Sequence, residues 1–263
     1  MTDKGLFKIS RRFLHVWRRN FTVYRKNWKI SFLPPLLEPL FYLLAFGVGL
    51  SALIGSIHYR GTEISYIAYI APALISINIM YNAFFETTYS SFVRMYYQKT
   101  FDAMMATPLF IGEVITGEIF WGATKSLIAT LIMLGVISLF GLIDYPAGLL
   151  IIPLSFLGGM AFGAIGMYFT SIVTHIDLFN LPIFLFITPM FLFSGTFFPL
   201  ETLPAWAQQL SYVFPLTHLV SLVRALAFGV IEPSLALNVL YLVIFTLVFF
   251  PWSLVKMQKR LIK

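Results

Sequence analysis

The sequence has 263 residues, of which 59% are hydrophobic, 17% aromatic and only 11% charged. Soluble domains run at about 45–50% apolar and about 25% charged, so neither an ordinary soluble domain nor a disordered chain fits. The few charges are unbalanced, 18 Lys+Arg against 11 Asp+Glu for a net +7, and the absence of cysteine excludes disulfides, Cys-based metal sites and thiol chemistry.

Residues 1–29 read as an amphipathic helix at a membrane surface. Leu6, Phe13, Trp17, Phe21, Tyr24 and Trp28 recur at helical steps. Lys8, Arg11, Arg12, His15, Arg18, Arg19, Arg25, Lys26 and Lys29 fill the opposite face. Such a helix lies in the headgroup plane, its aromatics buried and its cations toward anionic lipid. A cleavable signal is excluded, because the basic run is too long and no small-residue cleavage site follows.

A membrane helix needs about 20 mostly apolar residues. Six stretches qualify: Ile30–Ile57, Ile64–Phe85, Ile119–Ile143, Tyr145–Thr174, Leu178–Leu200 and Pro233–Val255. The first holds Glu38 among Pro34, Pro35 and Pro39, which predicts broken backbone near the inner interface. Between the second and third spans, the loop 96–113 predicts a short helix with Thr100 as its cap, Phe101, Met104 and Met105 on one apolar side, and Pro108 at its end. The fourth span carries Gly158, Gly159, Gly163 and Gly166, a spacing for close helix contact, most simply within one subunit. The fifth is dense in phenylalanine, expected to face lipid or other helices. A seventh uncharged stretch, Thr202–Val223, holds Pro204, Gln208, Gln209, Pro215 and His218. Its prolines break the backbone ladder, so it reads as a re-entrant segment of short helices rather than a straight span.

The basic residues orient these spans. Lys4, Lys8, Arg11, Arg12, Arg18, Arg19, Arg25, Lys26 and Lys29 precede the first; Arg94 and Lys99 lie between the second and third; Lys256, Lys259, Arg260 and Lys263 follow the last. Six spans with both termini cytoplasmic put all of these, fifteen of 18, on one side, as the positive-inside rule demands. Arg60 and Arg224 stay outside, and Lys125 sits near a membrane edge. Seven spans would strand one basic terminus outside. The positive excess therefore reflects topology and lipid contact, with no sign of nucleic-acid binding.

No energy-converting or catalytic motif is present. The nearest approach to a P-loop, Gly117 to Ser126, lacks the Gly-rich turn that cradles phosphate and reads as helix. His15, His58, His175 and His218 are scattered, and neither HExxH nor GxSxG occurs. Glu86 ends the second span, while Glu113, Glu118 and Lys125 gather at the third; Glu118 and Lys125 share a helix face two turns apart. These carboxylates crowd one side instead of stepping across the membrane, so a proton relay or secondary transporter is disfavoured. Interhelical hydrogen bonding near the interface is their simplest use.

Several runs in order resemble a known family. They are Val16-Trp17-Arg18-Arg19-Asn20, Phe85-Glu86-Thr87, Gly117-Glu118, Ala123-Thr124-Lys125, Ile187 to Gly195, Phe198-Pro199, Leu203-Pro204, and Pro215-Leu216-Thr217-His218 with Arg224 following. The set resembles the membrane subunit of type-2 ABC exporters, nearest the NodJ-like branch that pairs with NodI-like ATPases in lipo-oligosaccharide export. The resemblance implies an all-α integral membrane protein: residues 1–29 as the interfacial helix, marked by Arg11, Arg12, Trp17, Arg18 and Arg19, and residues 30–263 as a six-span domain with re-entrant outer helices at 202–224. It implies two copies of the chain and two of a separate ATPase, which alone binds ATP and Mg, leaving this chain without cofactor or catalytic residues. Phe101, Asp102, Met104, Met105, Thr107, Pro108 and Leu109 would form the coupling helix seated in that ATPase. The second and fifth spans would line the dimer axis, making Asn78, Asn82, Met190 and Phe193 pathway residues. Glu86, Glu118, Lys125, Pro215, His218 and Arg224 would be structural motif positions. The implied setting is the bacterial inner membrane, and the implied substrate an amphipathic glycolipid, with hydrophobic drug or polysaccharide export as alternatives.

Overall fold

The computed structural model describes residues 9–50, 55–59 and 61–262, leaving out the side chains at 30, 31, 35, 38, 39, 47, 48 and 50. Lys4, Leu6, Lys8, Arg60, Lys263 and the Glu38 side chain lie outside the described residues. Helix α1 is Phe13–Lys26, shorter than the expected 29 residues because the chain turns at Asn27 and Trp28 opens α2. The aromatic face of α1 packs against protein, a cover that the expectation of an aromatic face buried in headgroups lacked. The Phe13 ring lies 5.3 Å from that of Phe120, and Phe21 and Tyr24 meet Trp121 edge-on. Gly117 makes this approach possible: a Cβ there would sit 2.6 Å from Val16 Cβ and 2.8 Å from the Phe13 carbonyl oxygen.

Helix α2, Trp28–Leu44, continues as a π turn over Ala45–Leu50. The helical backbone runs through Pro34, Pro35 and Pro39, so these prolines do not break it as expected. Proline's fixed φ suits a helix; its cost is a missing N–H and a ring that crowds the carbonyl four residues back, which this segment tolerates. Ile57 falls in a hairpin instead of the first span. Strands β1, Ser56–Tyr59, and β2, Thr62–Ser65, pair antiparallel with Tyr59 opposite Thr62, the one departure from an all-helical chain among the described residues.

The second span is much longer than its apolar run. Helix α3 is Tyr66–Phe85 and continues through two π turns, Glu86–Ser90 and Val93–Tyr97, as one 32-residue rod. After it come α4, Thr100–Met105, and α5, Ile111–Leu139, which starts eight residues before the expected third span. Helix α6 is Ile151–Ile172, entered by a 3-10 turn at Ala147–Leu150, and α7 is the irregular Ile176–Phe193. Helices α8, Ala205–Ser211, and α9, Pro215–Ala227, meet at 85°, so Thr202–Val223 is no straight span. Helix α10, Leu235–Leu261, carries Lys256, Lys259 and Arg260 inside its last turns.

Five of these helices (the α3 rod, α5, the α6 rod, α7 and α10) are long and apolar enough to cross a membrane. The α3 rod is central, with 78% of its apolar window buried in the protomer; α10, at 11%, turns most of its window outward. Helix α6 packs against α3, α5 and α10. Its glycines are used inside the subunit: a Cβ on Gly159 would lie 2.7 Å from Ala123 Cα, and one on Gly166 would strike the Thr87 hydroxyl. Of the fifth-span phenylalanines, Phe184 is exposed but Phe179 is fully buried. Phe179 packs with Val16, Phe92, Phe101, Met167 and Met257 in a second cluster at the end of the bundle where α1 and α4 lie.

The glycine contacts predict a contrast. Gly159→Leu should lower the detergent-solubilised melting temperature, because over-packing a core typically costs about 1–3 kcal/mol. Gly135→Leu, where a Cβ meets nothing within 4 Å, should leave it unchanged or raised.

Candidate functional site

The site begins where the α3 rod changes pitch. π turns widen a helix and often mark functional segments. Here the Ser91 hydroxyl lies 3.2 Å from the Glu86 carbonyl five residues back, and Glu86, Ser91 and Arg94 face α5. Arg94 Nη1 donates to Glu86 Oε1 at 2.8 Å and its Nε to Glu118 Oε2 at 2.9 Å. Lys125 Nζ reaches Glu86 Oε2 at 2.9 Å, and Trp121 Nε1 donates to Glu86 Oε1 at 3.1 Å. Ser91 Oγ donates to Glu118 Oε2 at 2.6 Å, and Asn20 Nδ2 of α1 donates to Glu118 Oε1 at 2.8 Å. Two buried carboxylates thus face two cations, with hydrogen bonds filling the remaining lone pairs, the condition under which buried ion pairs are tolerated.

Glu118 and Lys125 share a face as expected but do not pair; each joins a residue of the α3 rod. Glu113 serves a different junction. Its Oε2 accepts from the Phe110 N–H at 2.9 Å, capping α5, and its Oε1 accepts from Ser10 Oγ just before α1. Sequence reasoning missed Arg94, Ser91 and Asn20. Ending the second span at the charged Glu86 assigned Arg94 to a loop; its position eight residues on, two helical turns away, was the available signal. Arg19 is corrected as well. It turns from the lipid-facing cations toward the network, with Nη1 donating to Asn20 Oδ1 at 2.8 Å. Arg11 and Arg18 stay exposed, Arg12 Nη1 donates to the Pro108 carbonyl at 2.8 Å, and Trp17 Nε1 donates to Thr124 Oγ1 at 2.9 Å.

The short helix α4 is oriented opposite to expectation. Thr100 is its first residue and not its cap; the preceding Lys99 is left-handed at φ 53°. Phe101 is fully buried, and Met104 and, past the end of the helix, Leu109 pack against the same cluster, because apolar side chains on so short a helix gain more by anchoring it than by facing water. Met105 is half-buried, while Asp102, Ala103, Ala106, Thr107 and Pro108 are exposed.

Among the pathway candidates, Asn78 and Met190 are buried inside the protomer, while Asn82 and Phe193 are half-buried. Asn82 Nδ2 donates to the Asn78 carbonyl and side-chain oxygens at 3.0 and 3.1 Å. At the hairpin end, the remaining motif residues lock the bent pair. Pro215 opens α9. His218 lies between Asn238 Oδ1 at 2.7 Å and the Tyr212 carbonyl at 2.9 Å, stacked on Tyr241. Arg224 is buried with its guanidinium 3.8 Å from the Tyr69 ring centroid. It donates to the Tyr69 carbonyl at 3.2 Å and the Gly195 carbonyl at 2.8 Å. Gly195 presents that carbonyl from φ +69°, which explains a glycine there.

The sequence profile described as ABC-2 type transporter matches residues 11–228. The chain belongs to the ABC-2 type transporter family. It is 33% identical to Nodulation protein J of Sinorhizobium fredii (strain NBRC 101917 / NGR234) over 247 residues, 94% of this chain and 93% of that protein. It is 34% identical to Nodulation protein J of Rhizobium leguminosarum bv. viciae over 250 residues, 95% of each. Identity to the inner membrane transport permease YadH of Escherichia coli (strain K12) is 23% over 248 residues, 94% of this chain and 95% of that protein. The chain is therefore a NodJ-like ABC-2 permease, a multi-pass membrane protein whose family role is transport and not catalysis.

The ion network of this ABC-2 permease predicts unequal costs. Arg94→Met leaves the buried Glu118 carboxylate without a cation and Glu86 with Lys125 alone, and should cost about 3–5 kcal/mol of stability. Lys125→Met, at a side chain 30% exposed against 12% for Arg94, should cost about 1 kcal/mol or less. Thermal unfolding of the two variants in one detergent measures the difference.

Proposed function

We propose that this ABC-2 permease moves an amphipathic lipo-oligosaccharide or glycolipid out of the cytoplasm or inner leaflet, as one of two copies driven by two copies of a separate ATPase. Likeness to Nodulation protein J over most of the chain supports the substrate class. The coupling step rests on one observation: α4 presents its polar face while its segment is tied to the cluster, to the start of α1 and to the start of α5. Phe101 anchors it in the cluster, Arg12 holds Pro108 to α1, and Glu113 caps α5 while accepting from Ser10. A push on Asp102 and Thr107 is thereby delivered to α1 and to the start of α5, and through Glu118 and Arg94 to the α3 rod. The basic end of the bundle faces the cytoplasm in this reading, and the bent pair α8–α9 re-enters from outside to cap the pathway. The second and fifth spans line the dimer axis; Asn82 and Phe193 are its reachable residues, with Asn78 and Met190 behind them.

The test uses proteoliposomes holding the chain and its ATPase. Asp102→Arg should reduce substrate-stimulated ATP hydrolysis by about tenfold, since a misplaced charge at an interface costs on the order of 1–2 kcal/mol or more. Intact coupling in that variant would overturn the role of α4. Export of a lipid-linked oligosaccharide, with neither a hydrophobic drug nor a long polysaccharide moved, is the expected substrate result.

A further inference from the structure

Beside the ion network, a cavity of about 520 Å³ opens between α1, α5, the α3 rod and the start of α7. Its chemistry is polar and aromatic: Arg19, Arg94 and Lys125 supply cations, Glu86 a carboxylate, and Tyr24 and Trp121 flat rings. The charges do not cancel. Arg94 and Lys125 are matched by Glu86 and Glu118, whereas Arg19 pairs with no carboxylate among the described residues and donates only to the neutral Asn20 amide. Burial first, and then the neighbouring Arg94 guanidinium, pull the Arg19 pKa below its ordinary value, against the opposing pull of Glu118. Arg19 is thus a half-buried cation that lacks a partner anion and lines a space large enough for one.

We propose that this cavity binds an anionic phosphate headgroup, with Arg19 as its principal ligand. Guanidinium offers a planar fork that matches phosphate oxygens, and phosphate carries the charge the cavity lacks. Asn20 is already committed to Glu118, so Arg19 is held by a fixed neighbour and aimed into the cavity without a flexible search. The cavity mouth includes the exposed Val23, and Trp28 and Leu33 are exposed on the adjoining α2. Acyl chains would have apolar surface to follow from that mouth, which favours a lipid phosphate over a free one. The inference deepens the permease reading, on which it depends only for placing α1 at the membrane surface.

Native mass spectrometry of the purified full-length chain tests it, titrating phosphatidylglycerol, an uncharged diacyl glycolipid and soluble glycerol phosphate. The expected result is phosphatidylglycerol retained about tenfold more tightly than the glycolipid, with the preference abolished in Arg19→Gln, partly kept in Arg19→Lys and unchanged in Lys256→Gln, an exposed cation on α10. Competition by glycerol phosphate would assign the site to soluble phosphates, and its failure to compete to lipid; either supports an anion site. Should Arg19→Gln not fold, quenching of Trp121 fluorescence, isolated by subtracting Trp121→Phe, by bromine-tagged phosphatidylglycerol but not by bromine-tagged glycolipid keeps the test decisive. Equal affinity for charged and uncharged lipid, an unaltered preference in folded Arg19→Gln, or equal loss in Lys256→Gln would overturn the proposal. Absence of coupled ATP hydrolysis by the unaltered chain with its ATPase, with the lipid preference intact, would count against the permease reading and leave this site standing.

Discussion

The rest of the fold is organised around Arg94. A guanidinium held between Glu86 and Glu118, with Lys125 on the far side of Glu86, is costly to bury unless every charge is matched. Matching them requires the α3 rod to run on past its apolar stretch, to widen into π turns, and to lie against the first half of α5. It also requires α1 to come close enough for Asn20 to reach Glu118. One electrostatic requirement therefore ties together α1, the α3 rod and α5.

Close approach is the complementary constraint. Gly117 lets α1 settle on α5, and Gly159 lets α5 settle on α6, each at a distance no side chain would permit. These contacts lie on both sides of α5, which becomes the shared wall between the surface helix and the core. In a membrane, where lipid is as apolar as leucine, such small-residue contacts and polar bonds supply what hydrophobic exclusion cannot. The bent pair at the other end follows the same logic. Arg224 is buried without a carboxylate among the described residues, and two backbone carbonyls and the Tyr69 ring supply its polar contacts.

Helix α4 shows how local pattern and tertiary role can diverge. Phe101, Met104 and Met105 do share a side, but Phe101 and Met104 face the cluster formed by α1, α5, α6, α7 and α10. What remains for a partner is a polar strip led by Asp102. An apolar face on a short surface helix carries no information about which neighbour covers it, and here the neighbour is the chain itself.

Apolar run length determined the membrane class, the positions of most spans and the bend at Pro204–Pro215, because hydrocarbon thickness and proline's missing donor act on local sequence alone. Glycine spacing likewise announced close packing of α6. Span ends were misjudged where charge was taken as a boundary: Glu86, Glu113, Glu118 and Lys256 all lie inside long helices. Only the folded chain could decide that, since Glu and Lys are good helix formers and what receives their charge comes from elsewhere in the fold: Arg94 for Glu86 and Glu118, the Phe110 N–H and the Ser10 hydroxyl for Glu113. The same holds for Arg19, which sequence periodicity grouped with the lipid-facing cations. Its turn toward Asn20 depends on Glu118, 99 positions away and brought near by the packing of α1 on α5.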